Sequence, residues 1–506
     1  PKPLAVSLYK ELITDKVWAQ NRKFYGYKDL SQFNLMTTFY GTPYIDVRID
    51  FNSWIPKELP DRISDKLVNF YLNLFKKKKF LHDKIEFEIV FTCLSLSTEK
   101  KINKRLKNLF TIKEKKFFLK NLSKLNKIAL SQINNDLELL KELEIKQNLI
   151  KNSKIYFIDK IYWLLEDCKK FGTLPFSGLA RCAFISLEIL NSFVEEKIFT
   201  ENDKLKFIAS IKTINVQMSE DLSRDKNLFI KKYGHLRPGT YEITSPNYKE
   251  NFKNYFHDYK KNLNLKNKPK KNYTFSYEQK KKINIFIKKT KIYRNFDELI
   301  LFIKKSIKYR EYSKFIFTKS IDMIFKNLEY FGIKYKIKKS DLSYLNIFDI
   351  LNLYHDLSGK KPVAYIKKRI IENKKKYTEN KDINLPDIII SGKDLFLQDK
   401  ENARVNYISN KIVTLKIIEF KKQKFNDNFD GAICIENADP GFDFLFTRNI
   451  KGLITKYGGQ NSHMAIRCAE LNLPALIGVG EQIFNKIIES KSIRIDCVLK
   501  KIDLIN

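Results

Sequence analysis

The chain has 506 residues, 43% of them hydrophobic and 13% aromatic, with a formal net charge of +37. That length supports at least two cores, and the aromatic content excludes a disordered polymer. The charge does not specify nucleic acid: of 95 basic residues only 14 are Arg, and the lysines fall in scattered runs such as Lys76–Lys79, Lys268–Lys271 and Lys280–Lys282, so we read a solvated basic surface that favours anionic ligands, with no nucleic-acid partner.

Residues 1–60 are rich in turn signals and aromatics, among them Gly26, Gly41 and Pro43. From about 60 to 230 apolar residues recur at three and four spacing, in Leu67–Phe75, Ile128–Leu149 and Ala180–Glu196, which predicts helices. The segment 141–147 fits an exposed helix face with i,i+4 charge pairs. A polar loop is expected over 231–250 and a loose, Lys-rich insert over 259–292. Helical spacing returns at 296–331 and 363–374. After about 385 the texture changes to short β-branched runs, Ile388–Ile390 and Ile412–Ile418, and from 431 strands and helices alternate. Strands are expected at Gly431–Glu436, Gly452–Thr455, Ala475–Ile477 and Ser492–Asp496, with helices at Ser462–Leu471 and Glu481–Ser490. The fold class is therefore mixed α+β, a large mainly helical region followed by a small α/β domain. The boundaries are 1–385, then 386–427 as linker and first strands, then 428–506. Six cysteines without a CxxC pair read as buried thiols of a cytoplasmic protein. No signal peptide or bilayer-length apolar run is expected, hence no membrane partner. The chain opens at Pro1 inside a patterned segment, which reads as part of something longer.

The informative stretch runs from Thr455 to Gly480. A strand ends at Thr455. Gly458 and Gly459 permit an unusual turn, and Asn461 or Ser462 is placed to cap the next helix. His463 then falls in the first helical turn, where unpaired N–H groups and the helix dipole favour a phosphate. A neutral imidazole nitrogen is a good nucleophile near neutral pH. Ala465, Ile466, Ala469 and Leu473 form the buried face, with Arg467 and Glu470 on other faces. A packing or capping histidine needs no glycine hinge before it.

The run from Gly458 to Gly480 resembles the phosphohistidine swivelling domain of phosphoenolpyruvate-utilising enzymes, a group that includes phosphoenolpyruvate synthase, pyruvate phosphate dikinase and rifampin phosphotransferase. The segments Ala438–Gly441 and Gly452–Thr455 fit the same domain. The resemblance implies that His463 accepts a phosphoryl group at a nucleotide site and swings to an acceptor site, with Gly458, Gly459 and Ser462 shaping the phosphoryl cradle. Met464 replaces the small residue often found after this histidine.

Residues 1–385 resemble, more loosely, the acceptor-side region of the same group. Arg48, Arg237, Arg310 and Lys314 are candidates to hold carboxylate or phosphoryl oxygens, with Glu311 beside them, and His235 or Glu242 to take the acceptor's proton. Leu236 stands between His235 and Arg237, where the group commonly reads Gly-His-Arg. The pair Arg310 and Glu311 also fits a helix-surface ion pair, and Arg181 the edge of a core. His82, His257 and His355 read as structural or surface residues. The group charges its histidine with ATP and Mg²⁺ in an ATP-grasp domain. This sequence shows no Gly-rich nucleotide loop and no acidic Mg²⁺ cluster. That domain is therefore expected in cis on a longer chain or in trans, and no metal site is assigned here. Domain order and Lys-rich character resemble the glutamine-phosphorylating kinases of capsule phosphoramidate biosynthesis, which implies a small-molecule acceptor, the side-chain amide of L-glutamine. The alternatives are a rifampin-type antibiotic phosphotransferase, a phosphoenolpyruvate synthase-like enzyme and a non-catalytic binding relic.

Overall fold

The computed structural model of the chain describes residues 1–82, 84–256, 272–355, 362–381, 383, 385–386, 388–395, 405–409, 411–420, 429–448, 450–459 and 462–505. Its helical region is organised by α1 (Val17–Phe24), α2 (Val47–Ser53), α3 (Asp61–Lys77), α4 (Ile112–Asn152), α5 (Phe157–Asp167), α6 (Leu174–Glu195), α7 (Glu201–Ala209), α8 (Ile214–Arg224), α9 (Tyr277–Thr290) and α10 (Phe296–Lys334). The two longest helices start with designed-looking chemistry. Thr111 accepts from the Glu114 N–H while the Glu114 carboxylate accepts from the Thr111 N–H, so two otherwise orphaned donors are satisfied ahead of α4. Asn295 accepts from the Glu298 N–H ahead of α10.

Helices α4, α6 and α10 pack together and carry the core. On α6, Gly178 lets Asp136 of α4 come close: a Cβ there would lie 2.0 Å from Asp136 Oδ2. Between α4 and α10, the buried Gln147 amide donates to Ile316 O at 3.0 Å and to Ser320 Oγ at 2.8 Å. One apolar core gathers Phe51, Trp54, Tyr71, Phe118, Leu179 and Phe193, and a second gathers Leu8, Ile161, Phe317, Ile324 and Leu328. The stretch Phe157–Glu195 is long and apolar enough to cross a bilayer by length and composition, which the sequence reading did not expect, but its most apolar window is 67% buried inside the chain. It is apolar because it is packed on several sides. All six cysteines are buried and free.

Two expectations need correction. Residues 1–60 hold α1, α2 and a further helix at Pro3–Tyr9. They also hold a hairpin, β1 (Met36–Phe39) and β2 (Thr42–Ile45), turned by Tyr40 and Gly41 with φ of 49° and 80°. The loose insert fails from Ser276 onward. Ser276 and Gln279 form a capping box for α9, whose Ile283, Phe286 and Ile287 are buried at helical spacing. Competing lysines on the other face hid that periodicity. Residues 257–271, with His257 and Lys268–Lys271, lie outside the described residues.

The C-terminal domain is a seven-stranded sheet among the described residues. Its strands are β3 (Asn406–Ile408), β4 (Ile412–Glu419), β5 (Ala432–Asn437), β6 (Gly452–Tyr457), β7 (Ala475–Ile477), β8 (Ser492–Asp496) and β9 (Lys501–Ile505). The order is β3-β7-β6-β5-β4-β8-β9, parallel from β4 through β5 and β6 to β7, and antiparallel at the other three pairings. Two helices complete it, α11 (His463–Glu470) and α12 (Glu481–Glu489). Ile388–Ile390 forms no strand. Alternation along β5 sets the layering: Ala432 and Cys434 face the core with α12, while Ile433 and Ile435 face a core shared with the helical region. That shared core joins Phe229, Tyr233 and Tyr248 to Phe444, Leu445 and Met464.

At this seam a 3₁₀ turn, Pro440–Thr447, rests directly on the loop after Tyr233. A Cβ on Gly441 would lie 1.9 Å from Arg237 O, and the Tyr248 hydroxyl donates to Gly441 O at 2.9 Å. Replacing Gly441 by Ala should therefore weaken docking of the two domains by about 1–3 kcal/mol. Small-angle scattering of Gly441→Ala should show an enlarged radius of gyration, and an unchanged profile would refute the tight approach.

Candidate functional site

The loop that presents His463 is built on glycine. Gly458 leaves β6 with φ of +138°, a region that L side chains rarely adopt. The chain leaving β7 presses on it: a Cβ at Gly478 would sit 2.1 Å from Gly458 O. The φ of Gly459 is not positive. Its carbonyl accepts from the Ser462 N–H, and the Ser462 hydroxyl caps α11 by accepting from the Ala465 N–H at 3.3 Å. Gln460 and Asn461 lie outside the described residues, so the choice of cap is seen only for Ser462. Met464, Ala465 and Cys468 anchor α11 in the shared core.

His463 is thereby held at the domain seam, 6% exposed. Its Nε2 lies 2.6 Å from Asp443 Oδ1, on the 3₁₀ turn of its own domain. Its Nδ1 lies 2.8 Å from Glu311 Oε2, on α10 of the helical region, and 3.2 Å from the Asn215 carboxamide on α8. Arg467, one turn along α11, brings its Nε within 3.8 Å of Asp443 Oδ1 and donates to Ser219 Oγ at 3.3 Å. Arg467, off the apolar face of α11, is thus buried as well. It follows His463 at i+4, the spacing that shares one helix side.

These charges decide the ring's state. Burial works against an imidazolium, but the Asp443 and Glu311 carboxylates outweigh it and raise the His463 pKa to about 9. Burial likewise works against the Glu311 carboxylate, which the bond and charge of His463 and the nearby Arg310 and Lys314 hold down at about 2. The docked ring at neutral pH is therefore a cation that donates from both nitrogens. It has no lone pair to offer, so this arrangement holds the histidine rather than reacting it. Of the two carboxylates, Asp443 lies in the same domain as the ring and Glu311 in the helical region.

The structure brings His463, Glu311, Arg310 and Lys314 together and gives the other candidates different partners. The Arg237 guanidinium is buried and paired with Asp322 at 2.5 Å, with Ser245 O as a second acceptor. A buried guanidinium needs a counter-charge, and Asp322, also bonded by Asn247, supplies it. His235 donates from Nε2 to Phe315 O at 3.0 Å, and burial lowers its pKa to about 4. Glu242 accepts from the N–H and hydroxyl of Thr244, closing its own turn. Arg48 is exposed in the first turn of α2. None of these four touches His463. The loop from His235 to Glu242 instead forms the platform on which Gly441 and Asp439 rest, with Thr240 donating to Asp439 at 3.2 Å. Asp443, Asn215 and Ser219 were missed. Asp443 had a signal, a lone carboxylate inside the aromatic run Phe442–Phe446.

A cavity of about 250 Å³ opens beside the site, lined by Glu201, Lys204, Arg310, Glu311, Ser409 and Ala465. It lies between the two domains and is large enough for a small acceptor. A larger cavity of about 400 Å³, lined by Lys10, Tyr40, Lys376 and Tyr377, touches none of the His463 partners. Among the described residues no group of three or more His, Cys, Asp or Glu is placed to hold a metal ion.

The raised pKa makes docking depend on pH. A cationic His463 favours the docked state, fully so below the pKa of the undocked ring, and that contribution is lost as pH rises through about 9. The imidazole signals in NMR should titrate near pH 9 in the wild-type chain and move toward 6.5 in Glu311→Gln. A wild-type midpoint at or below 6.5 would contradict the two-carboxylate clamp.

No curated protein matches the chain. Residues 431–499 match the family model described as PEP-utilising enzyme, mobile domain. The matched span contains the 3₁₀ turn with Asp443, the Gly458 loop, His463 and α11. This C-terminal domain is thus similar to the mobile domain of the PEP-utilising enzyme family, and the match supports phosphoryl transfer through a phosphohistidine in general.

Proposed function

We propose that the chain is a phosphotransferase, or a large part of one, in which His463 carries a phosphoryl group from an ATP-derived donor to a small acceptor. The observation that carries this reading is the burial of His463 at a domain seam, against a carboxylate of each domain. The ring's lone pair attacks a phosphorus of the ATP-derived donor at a remote site, the P–O bond to the donor's leaving oxygen breaks and that oxygen keeps the electron pair, and the phosphorylated domain then docks. The acceptor attacks phosphorus, the P–N bond breaks and its electron pair returns to the ring. A carboxylate holding a proton on the other ring nitrogen lets the ring leave as neutral imidazole. Glu311 is placed to take the acceptor's proton, and Arg310 and Lys314 to face phosphoryl oxygens. The docked imidazolium is the state after discharge.

ATP and Mg²⁺ act through an ATP-grasp domain supplied in cis or in trans, and no Mg²⁺ step is assigned to the described residues. The preferred acceptor is the side-chain amide of L-glutamine, and the cavity of about 250 Å³ beside Glu311 supports a small molecule. A rifampin-type acceptor is disfavoured by that same small volume.

Intact-mass analysis with ATP, Mg²⁺ and an ATP-grasp partner should show one acid-labile phosphate, absent from His463→Ala. Glu311→Gln should still charge but transfer to L-glutamine about 10²–10⁴-fold more slowly. Absence of phosphate on the wild type would sink the carrier reading. A charged enzyme that ignores glutamine would remove only the acceptor.

A further inference from the structure

A second cationic centre lies in the helical region and contributes no contact to His463. Arg181 on α6 is 1% exposed, among the largest fully buried side chains of the molecule. Its Nη2 donates to Thr92 Oγ1 at 3.1 Å, but Nε and Nη1 are buried with no hydrogen-bond partner. No carboxylate of the described residues forms an ion pair with it. Its guanidinium lies 4.9 Å from the Trp54 ring and 5.8 Å from the Phe184 ring. Against the same Trp54 ring, at 3.4 Å, stacks a second guanidinium, Arg22 of α1. Against the same Phe184 ring, at 5.6 Å, lies Arg310, the neighbour of Glu311.

Aromatic faces do not discharge two like charges. A buried guanidinium left with two unpaired donors carries a large desolvation cost, and a protein sustains it where an anion completes the set. The carboxylates that act on the neighbouring Arg22 do not fill that place. Asp50 and Glu86 act on Arg22, and burial raises the Asp50 pKa to about 7, so its negative charge is itself incomplete at neutral pH. Burial and the like charge of Arg181 lower the Arg22 pKa to about 10. Arg22, Asp50, Phe184 and Arg310 are each half-buried, which leaves the rim of this centre in contact with solvent. Guanidinium groups are the side chains suited to forked recognition of carboxylate and phosphoryl oxygens.

We infer that Arg181, with Arg22, forms an oxyanion-binding site in the helical region that holds the carboxylate or phosphoryl group of a small ligand.

The test is thermal melting of the full chain in sodium phosphate, sodium acetate and sodium chloride at equal ionic strength. Phosphate or acetate should raise the melting temperature saturably over chloride, by a few degrees (on the order expected for ligand linkage). Which of the two acts distinguishes a phosphoryl from a carboxylate ligand. Arg181→Met should abolish the rise while melting no lower in chloride, since it removes an unpaired buried charge. If that variant does not fold, Arg22→Gln should diminish the rise in its place. His463→Ala should keep the rise, so a failed phosphotransfer assay leaves the site standing. A wild type with no saturable rise, a rise that survives in Arg181→Met, or one lost in His463→Ala would each overturn the assignment.

Discussion

A histidine cation held between two buried carboxylates is the constraint on which this architecture turns. Burial alone would strip the proton from His463, and the ring stays charged because Asp443 and Glu311 approach it from opposite sides. Each carboxylate belongs to a different domain, so the proton that bonds Glu311 is also a bond between bodies. A helix start, a 3₁₀ turn and the middle of a 39-residue helix must all be in register for the three groups to meet. The long helices of the acceptor side thus do more than fill a core. They hold Glu311 at a fixed place against the ring of the other domain.

The same arrangement separates two jobs that one nitrogen base cannot do at once. A charged ring docks well and cannot attack phosphorus. A neutral ring attacks phosphorus and docks less well. Asp443 belongs to the ring's own domain, while Glu311 meets the ring across the seam.

Much of the C-terminal domain was legible because its signals are local. The strand ends, the glycine turn, the Ser462 cap and the apolar spacing of α11 all occur within about one helical turn of what they specify. The partners of His463 were legible only in part. Glu311 was a candidate, but nothing local connects it to a histidine 152 positions on, and Asn215 carries no marker. The loop from His235 to Glu242 is ambiguous in the sequence for a physical reason. Gly, His, Arg and Pro in a turn fit a ligand cradle and a docking platform equally well, and only the through-space pairing of Arg237 with Asp322 tells them apart. Helix α9 was hidden because lysines crowd its solvent face, and β3 because three residues carry no usable period.

The seam core has a calorimetric consequence. Phe229, Tyr233 and Tyr248 meet Phe444, Leu445 and Met464 across the domain boundary, so each departure of the carrier wets an apolar surface. Separation therefore proceeds with a positive change in heat capacity. Apolar association also weakens as temperature falls, so the carrier is held least firmly in the cold, where the ionic clamp bears a larger share of the docking.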